Sequence, residues 1–342
     1  MFNRNSDKPL LSLALQGGGA HGAFTWGVLD ALLEAGLYRF EGLSGTSAGA
    51  MNAVAVAHGL SSGGSDAARE TLALFWSRVG ATLPAEMVQP VGLGGDSALS
   101  PGLRMALQFT RWFSPYQLNP LDYNPLRTII QDLFDFERIR KQSPVKLFVA
   151  ATQANTGRLK LFQNADISAD ALLASSCLPS LQQAIVIDGE PYWDGGFSAN
   201  PAVFPLVRYC RSDDMLLVLL APTLYGATPR SAEEIQQRTV NLGFNSAFLR
   251  EMRLFALLRD MAQEGGPLRG RLERRLLSSR FHLIEAHDLI SDLDSSSRGL
   301  THVPFLEWLR DAGRERAQEW LTLNGSKVGH LPSVDIKALF FD

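Results

Sequence analysis

Cysteine is almost absent from the chain. Cys177 and Cys210 are the only two in 342 residues. Two distant thiols without paired histidines nearby lack the ligand spacing of a zinc site. A chain of this length does not need a disulfide to hold its core, so both are read as reduced thiols. No apolar run approaches the roughly 20 residues that span a bilayer. The opening segment, MFNRNSDKPLLSLALQGGG, passes from polar residues through a short apolar stretch into glycines. It has no small-residue cleavage site and is not read as a secretory signal. Charge of either sign is not in large excess, with a net of −3 at pH 7, which is not the footprint of a nucleic-acid binder. These absences point to a soluble, cytoplasmic protein. At 46% hydrophobic, it has enough apolar residues for one large domain or a domain plus an extension.

What is present is periodic. Leu10–Leu15 reads as a buried strand. Gly22–Ala35 reads as a helix with Phe24, Val28, Leu29, Leu32 and Leu33 on one face and Gly36 as its stop. FEGLSGTSAG and a small-residue helix, AGAMNAVAVAHG, follow. Strand, glycine loop, helix, strand, helix is a βαβ pattern and implies a parallel sheet. Residues 60–66 read as a Ser/Gly loop, and 67–79, 125–134 and 169–176 as helices. VKLFVAATQ and GRLKLFQN form an expected hairpin, and AIVIDGEPYWDGG two strands turning at Asp188-Gly189. DMLLVLLAP is a further buried strand. From Ser231 onward most of the chain reads as helical, including 233–261, the basic RGRLERRLL segment and a helix near 305–323.

Gly17, Gly19 and Gly22 fit G-x-G-x-x-G after a strand, the dinucleotide fingerprint. That site needs a carboxylate at the end of the second strand. Glu41 comes too early, and the strand ends instead in Gly45-Thr46-Ser47-Ala48-Gly49. G-x-S-x-G between a strand and a helix is the context of a nucleophile elbow. Ser47 would sit at a helix N-terminus, where the backbone dipole favours developing negative charge. Ala48, Gly49, Ala50 and Ala53 would let that helix lie close to the sheet. The glycine run would then offer backbone N–H groups to an oxyanion instead of a pyrophosphate. A serine nucleophile needs a base. Of His21, His58, His282, His287, His302 and His330, the late His282, His287 and His302 are in the chain order a hydrolase base would take, but none of these three sits in a short loop after an expected strand. Asp194 does end such a strand, and Gly195-Gly196 follows it.

Three motifs in this order resemble the patatin-like phospholipases: Gly17-Gly18-Gly19-Ala20-His21-Gly22, Gly45-Thr46-Ser47-Ala48-Gly49 and Asp194-Gly195-Gly196. LLASSCLPSL before the third motif and Asn200-Pro201 after it add to the likeness. The resemblance covers roughly residues 10–207. It implies an α/β class, three-layer α/β/α patatin-like fold with a central, mostly parallel sheet. Residues 208–342 would form a mostly helical C-terminal extension packed on the same domain. It also implies lipid acyl hydrolysis by a Ser–Asp dyad without histidine. Ser47 would be the nucleophile, Asp194 the base, and the backbone of Gly17, Gly18 and Gly19 the oxyanion hole. The remaining motif residues would shape these turns, and no metal or cofactor is required. His21 is a departure, since many members carry Arg or Lys there, and a neutral imidazole gives less help to an anionic phosphate.

The expected function is a serine lipid acyl hydrolase of the phospholipase A, lysophospholipase or carboxylesterase type, working through an acyl-enzyme. An acyltransferase or thioesterase on the same scaffold, or a non-catalytic lipid-binding protein, are the alternatives. The expected partner is a lipid or acyl ester, with no nucleic acid. The aromatic patch Phe109, Trp112, Phe113 and Tyr116 reads as a core or cap contact, or as a lid or peripheral membrane surface. Phe244, Phe248, Met252 and Phe255 follow helical spacing, for core packing or a homodimer. The basic run at 269–275 reads as a solvated helix face.

Overall fold

The computed structural model describes residues 8–83, 88–90, 97–99, 113–222, 226, 228–265, 269–290, 293 and 295–341. Phe109 and Trp112 lie outside the described residues. The strands are β1 (Leu10–Leu15), β2 (Arg39–Thr46), β3 (Val88–Pro90), β4 (Ser97–Leu99), β5 (Lys146–Gln153), β6 (Leu159–Gln163), β7 (Ile185–Ile187), β8 (Glu190–Asp194), β9 (Asp214–Leu219) and β10 (Arg280–Glu285). Eight of them form one sheet in the order β10–β9–β1–β2–β5–β8–β7, with β6 also paired to β5, while β3 and β4 pair separately. From β10 to β5 every pairing is parallel; β6, β7 and β8 run antiparallel to their neighbours.

The parallel strands are apolar on both faces, as strands covered on both sides must be. Along β9, Leu216 and Val218 join one core, and Met215, Leu217 and Leu219 join the other. β1 divides in the same way, with Leu11, Leu13 and Leu15 on one side and Ala14 on the other. The larger helices in chain order are α1 (Gly22–Ala35), α2 (Ala48–Ser62), α3 (Ser65–Gly80), α4 (Pro125–Leu133), α5 (Phe136–Gln142), α6 (Ala169–Ser175), α7 (Phe204–Tyr209), α8 (Ala232–Glu264), α9 (Arg271–Ser278), α10 (Val303–Asn324) and α11 (Ile336–Phe340). α1 to α6 and α10 pack into the first core. α7, α8 and α11 cover the opposite face. The architecture is therefore the expected three-layer α/β/α arrangement.

Local expectations differ from the structure at two places. The 60–66 segment is mostly helical: α2 runs to Ser62 and α3 starts at Ser65. Only Gly63 and Gly64 separate them, Gly64 with φ 83°. Arg280–Glu285, inside the part read as helical, is a strand that extends the sheet beside β9. Its apolar residues are too few to show a period, and its burial comes from β9 and the flanking helices. The helix face expected to pack does so within the chain, with Phe248 and Met252 buried in the second core.

α1 and α10 cross where each has a glycine. A Cβ on Gly27 would collide with the Arg310 carbonyl, and one on Gly313 with the Phe24 carbonyl. Gly27→Ala should therefore destabilise the protein by about 1–3 kcal/mol. Gly243, in α8, has nothing near its missing Cβ. Gly243→Ala should be neutral or stabilising by up to about 1 kcal/mol. Urea denaturation midpoints of both variants check the contrast.

Candidate active site

The register of β5 brings two strand ends together. Residues 148–150 of β5 pair with both β2 and β6, so these two strands occupy opposite edges. β8 overlaps β6 at residues 151 and 152 and so lies on the β2 edge. β2 stops at Thr46, opposite Ala150; β8, running the other way, stops at Asp194, opposite Ala151. The strands meet end to end, which sets the residue after Thr46 beside Asp194. Thr152 Oγ1 donates to the Asp194 carbonyl at 2.8 Å, and Thr46 Oγ1 donates to the Ala199 carbonyl at 2.7 Å. Both bonds pin the junction.

Ser47 sits at φ 54°, ψ −123°, at the head of α2. A non-glycine residue at positive φ costs free energy, which the surrounding packing must hold. A Cβ on Gly45 would come 2.5 Å from the Gly49 carbonyl oxygen, and one on Gly49 would collide with the Leu15 carbonyl. Both glycines are needed for α2 to turn this sharply against β1 and β2. The Ser47 N–H donates to Ser175 Oγ at 2.9 Å, and the Ala50 N–H to the Ser47 carbonyl at 2.9 Å. Ser175 belongs to the LLASSCLPSL stretch, which therefore holds the elbow from the α6 side.

Asp194 is 2% exposed. Burial pushes its carboxyl up to about 7, against the opposing pull of the Gly196 N–H, which hydrogen-bonds it, and of the neighbouring Ser47 side chain. The Gly196 bond is 2.7 Å. The Asp194 N–H donates to the Cys177 carbonyl at 2.7 Å, a second tie to LLASSCLPSL. Gly195 packs on the Ala150 carbonyl and Gly196 on the Phe244 ring of α8, with no room for a side chain at either.

The glycine loop leaves β1 alongside this pair. A Cβ on Gly17 would lie 2.7 Å from the Thr46 carbonyl oxygen and 2.8 Å from Ser47 Cβ. The Gly17 N–H donates to Asn200 Oδ1 at 2.8 Å. The N–H groups of Gly18 and Gly19 have no acceptor among the described residues. Gly19, at φ 61°, passes against the Arg298 backbone. Gly22 packs on Ala48, with no space for a side chain between them. Ala20 and His21 are buried beneath the loop. His21 Nε2 is 2.7 Å from Ser297 Oγ, and its ring meets Phe305 edge-on. Burial, aided by the Arg298 charge, lowers its pKa to about 3. It is therefore neutral.

Among the described residues no histidine bonds to Ser47 or Asp194. His282 is fully buried in β10, with Nε2 3.0 Å from Asp214 Oδ1 and its ring edge-on to Trp320. No group of three metal-ligating side chains converges among the described residues. Neither cysteine is in a disulfide, and both are buried. Sequence reasoning missed Gln16, Asn245 and Glu251. Gln16 Oε1 accepts from the Leu220 and Ala221 N–H groups at 2.6 and 2.7 Å. Its Nε2 lies 3.2 Å from both the Asn200 carbonyl and Asn245 Oδ1. Glu251 accepts from the Val203 N–H at 2.9 Å and from the Phe204 N–H. No local motif marks these residues; a glutamine directly before the glycine run is the one available signal.

With this geometry in view, comparison with known proteins identifies the lineage. The family described as patatin-like phospholipase matches residues 13–207. The chain belongs to that family, which in general terms makes it a lipid acyl hydrolase. Among solved structures it is similar to the crystal structure of VipD from Legionella pneumophila. The identity is 15% and the TM-score 0.42, over 92% of this chain and 67% of that one. No curated protein matches. No helix among the described residues is long and apolar enough to cross a membrane.

A carboxyl whose pKa is raised on folding stabilises most while protonated, below its unfolded value, and that contribution is lost as pH rises through the folded value. For Asp194 this window runs from about 4 to about 7. Asp194→Asn keeps an acceptor for Gly196 and carries no charge. Its stability relative to wild type should improve by up to about 4 kcal/mol between acid pH and pH 8. Guanidinium unfolding curves at several pH values measure this; a variant that does not gain on wild type as pH rises would contradict the buried carboxylate.

Proposed function

We propose that the chain cleaves an acyl ester of a lipid through a Ser47–Asp194 dyad. The observation that carries the reading is the buried Asp194 carboxyl set beside Ser47 where β2 and β8 end, with its pKa raised to about 7. A base performs best when its pKa lies near the working pH. Asp194 takes the Ser47 proton as Oγ bonds to the ester carbon. The carbonyl oxygen becomes an oxyanion, and the N–H groups of Gly18 and Gly19 receive it. Collapse expels the alcohol, which leaves with the proton from Asp194. Water, deprotonated by the same carboxylate, then attacks the acyl-Ser47 ester. The fatty acid departs, and the proton returns through Asp194 to Ser47. His21, held neutral by burial, supplies no charge to this cycle.

Reaction with a fluorophosphonate followed by peptide mapping tests the nucleophile. Wild type should gain one adduct, on Ser47, and Ser47→Ala none. Asp194→Asn should remain folded and lose ester hydrolysis on the order of 10³-fold or more. Wild-type kcat should rise with pH through about 7 as Asp194 ionises. Near-wild-type turnover of Asp194→Asn would falsify the dyad.

The same reading assigns contact with a lipid aggregate to the segment around residues 113–123. Phe113, Tyr116, Leu118, Leu121 and Tyr123 are exposed there, Leu121 to 91%. The segment is bonded to the strand approach that ends at Asp194. Ala184 N–H donates to Tyr116 Oη at 3.3 Å, and Gln183 Nε2 to the Asn119 carbonyl at 2.8 Å. Apolar and aromatic side chains of this kind settle at the headgroup boundary. In liposome flotation, Leu121→Asp with Tyr123→Ser should bind neutral vesicles several-fold less than wild type while hydrolysing a soluble short-chain ester at the same rate.

A further inference from the structure

Buried amide side chains are costly unless their donors and acceptors are used. Three of them, Gln16, Asn200 and Asn245, are 1%, 3% and 3% exposed. They form one bonded row from α8 to the glycine loop: Gln16 Nε2 to Asn245 Oδ1, Gln16 Nε2 to the Asn200 carbonyl, and the Gly17 N–H to Asn200 Oδ1. The Gln16 oxygen is fixed as well, because the Leu220 and Ala221 N–H groups at the end of β9 both donate to it.

We infer that Asn200 is a positioning residue for the oxyanion donors, and that α8 takes part in this role through Asn245 and Gln16. The inference rests on the Ser47 reading. Gly17 has no side chain to hold it, and its neighbours Thr46 and Ser47 leave no space for one. Its peptide orientation therefore depends on its hydrogen bond. With the Gly17 N–H turned to Asn200, that group is not a donor to substrate, and the hole consists of the next two N–H groups. The direction of those two is set by the Gly17 peptide. Loss of the Asn200 acceptor lets it rotate, at a point so close to Ser47 that a side chain on Gly17 would collide with the Ser47 Cβ.

Asn200 is itself held from both sides. Before it, the Ala199 N–H donates to the Gly195 carbonyl at 2.8 Å and the Ala199 carbonyl accepts from Thr46 Oγ1. After it, Glu251 of α8 accepts from the Val203 and Phe204 N–H groups. The segment from Asp194 to Phe204 thus carries the base at one end and the clamp on the glycine loop in its middle. Residues beyond 207, outside the family match, brace both through Asn245, Glu251 and Phe244.

The test compares wild type, Asn200→Ala and Asn245→Leu on a short-chain ester, with kcat, KM, thermal midpoint and the inhibition constant of a trifluoromethyl ketone. That inhibitor adds to the serine and places an oxyanion in the hole, so its affinity follows transition-state stabilisation. Asn200→Ala should lower kcat by about 10- to 100-fold, less than deleting a donor outright. The ketone should weaken by the same factor while KM stays within about twofold. Asn245→Leu, remote from the ester, should move both quantities in the same direction by a smaller factor, and it carries the test if Asn200→Ala does not fold. Unchanged kcat and ketone affinity in a folded variant would overturn the inference, as would a rise in KM that accounts for the whole loss. Wild type lacking Ser47-dependent hydrolysis would instead overturn the dyad reading and this inference with it.

Discussion

The carboxyl of Asp194 is cut off from water, and much of the surrounding structure answers to that constraint. An isolated buried carboxylate is expensive. Here the cost is limited by protonation near neutral pH and by the Gly196 N–H. The burial itself is made by elements distant in sequence: β5 beneath Gly195 and α8 above Gly196. Ser47 adds a second unfavourable feature, its positive φ. Both are stored at the place where β2 and β8 end against each other on one edge of β5. The Thr46 and Thr152 hydroxyls tie the junction to the segment that begins at Asp194. A pKa near 7 and a strained serine are thus two effects of one packing arrangement.

Charge is nearly absent from this place. His21 is neutral and buried, and its contacts are Ser297 and Phe305. The groups that can meet a developing negative charge are backbone N–H dipoles, oriented by neutral amides. Preorganised dipoles in a dry site do not need to reorient when charge develops. They also impose no attraction for a charged headgroup. Arg298, the cation beside His21, donates to Asn241 Oδ1 at 2.6 Å and so is held by α8.

What was legible in the sequence is what is local. Gly45 and Gly49 flank Ser47 within one turn, and the steric demand of that turn is written into five consecutive residues. Asp194-Gly195-Gly196 is legible for the same reason. The βαβ start of the chain follows from periodicity and holds in the structure. Other features were hidden by distance. Gln16 bonds Asn245, 229 positions away, and Gly17 bonds Asn200, 183 positions away. No spacing rule reaches so far, because the partners are chosen by sheet order. β10 was hidden for a related reason: its strand character comes from lying beside β9. Gly63-Gly64 misled in the opposite direction, since a two-residue break between helices looks like a longer loop when serines surround it.

The sheet order also governs when the molecule becomes complete during its synthesis. β1 lies between β2, made almost at once, and β9, made some two hundred residues later. The family match ends at residue 207, before β9 is reached. Until β9 and α8 leave the ribosome, the Gln16 oxygen lacks Leu220 and Ala221, its nitrogen lacks Asn245, and one edge of β1 is bare. Ser47 and Asp194 are both translated before that, on a nascent chain whose Gln16 side chain still lacks these partners. The glycine loop is therefore braced in full only once the chain has been made as far as Asn245, well beyond the last of the three signature motifs.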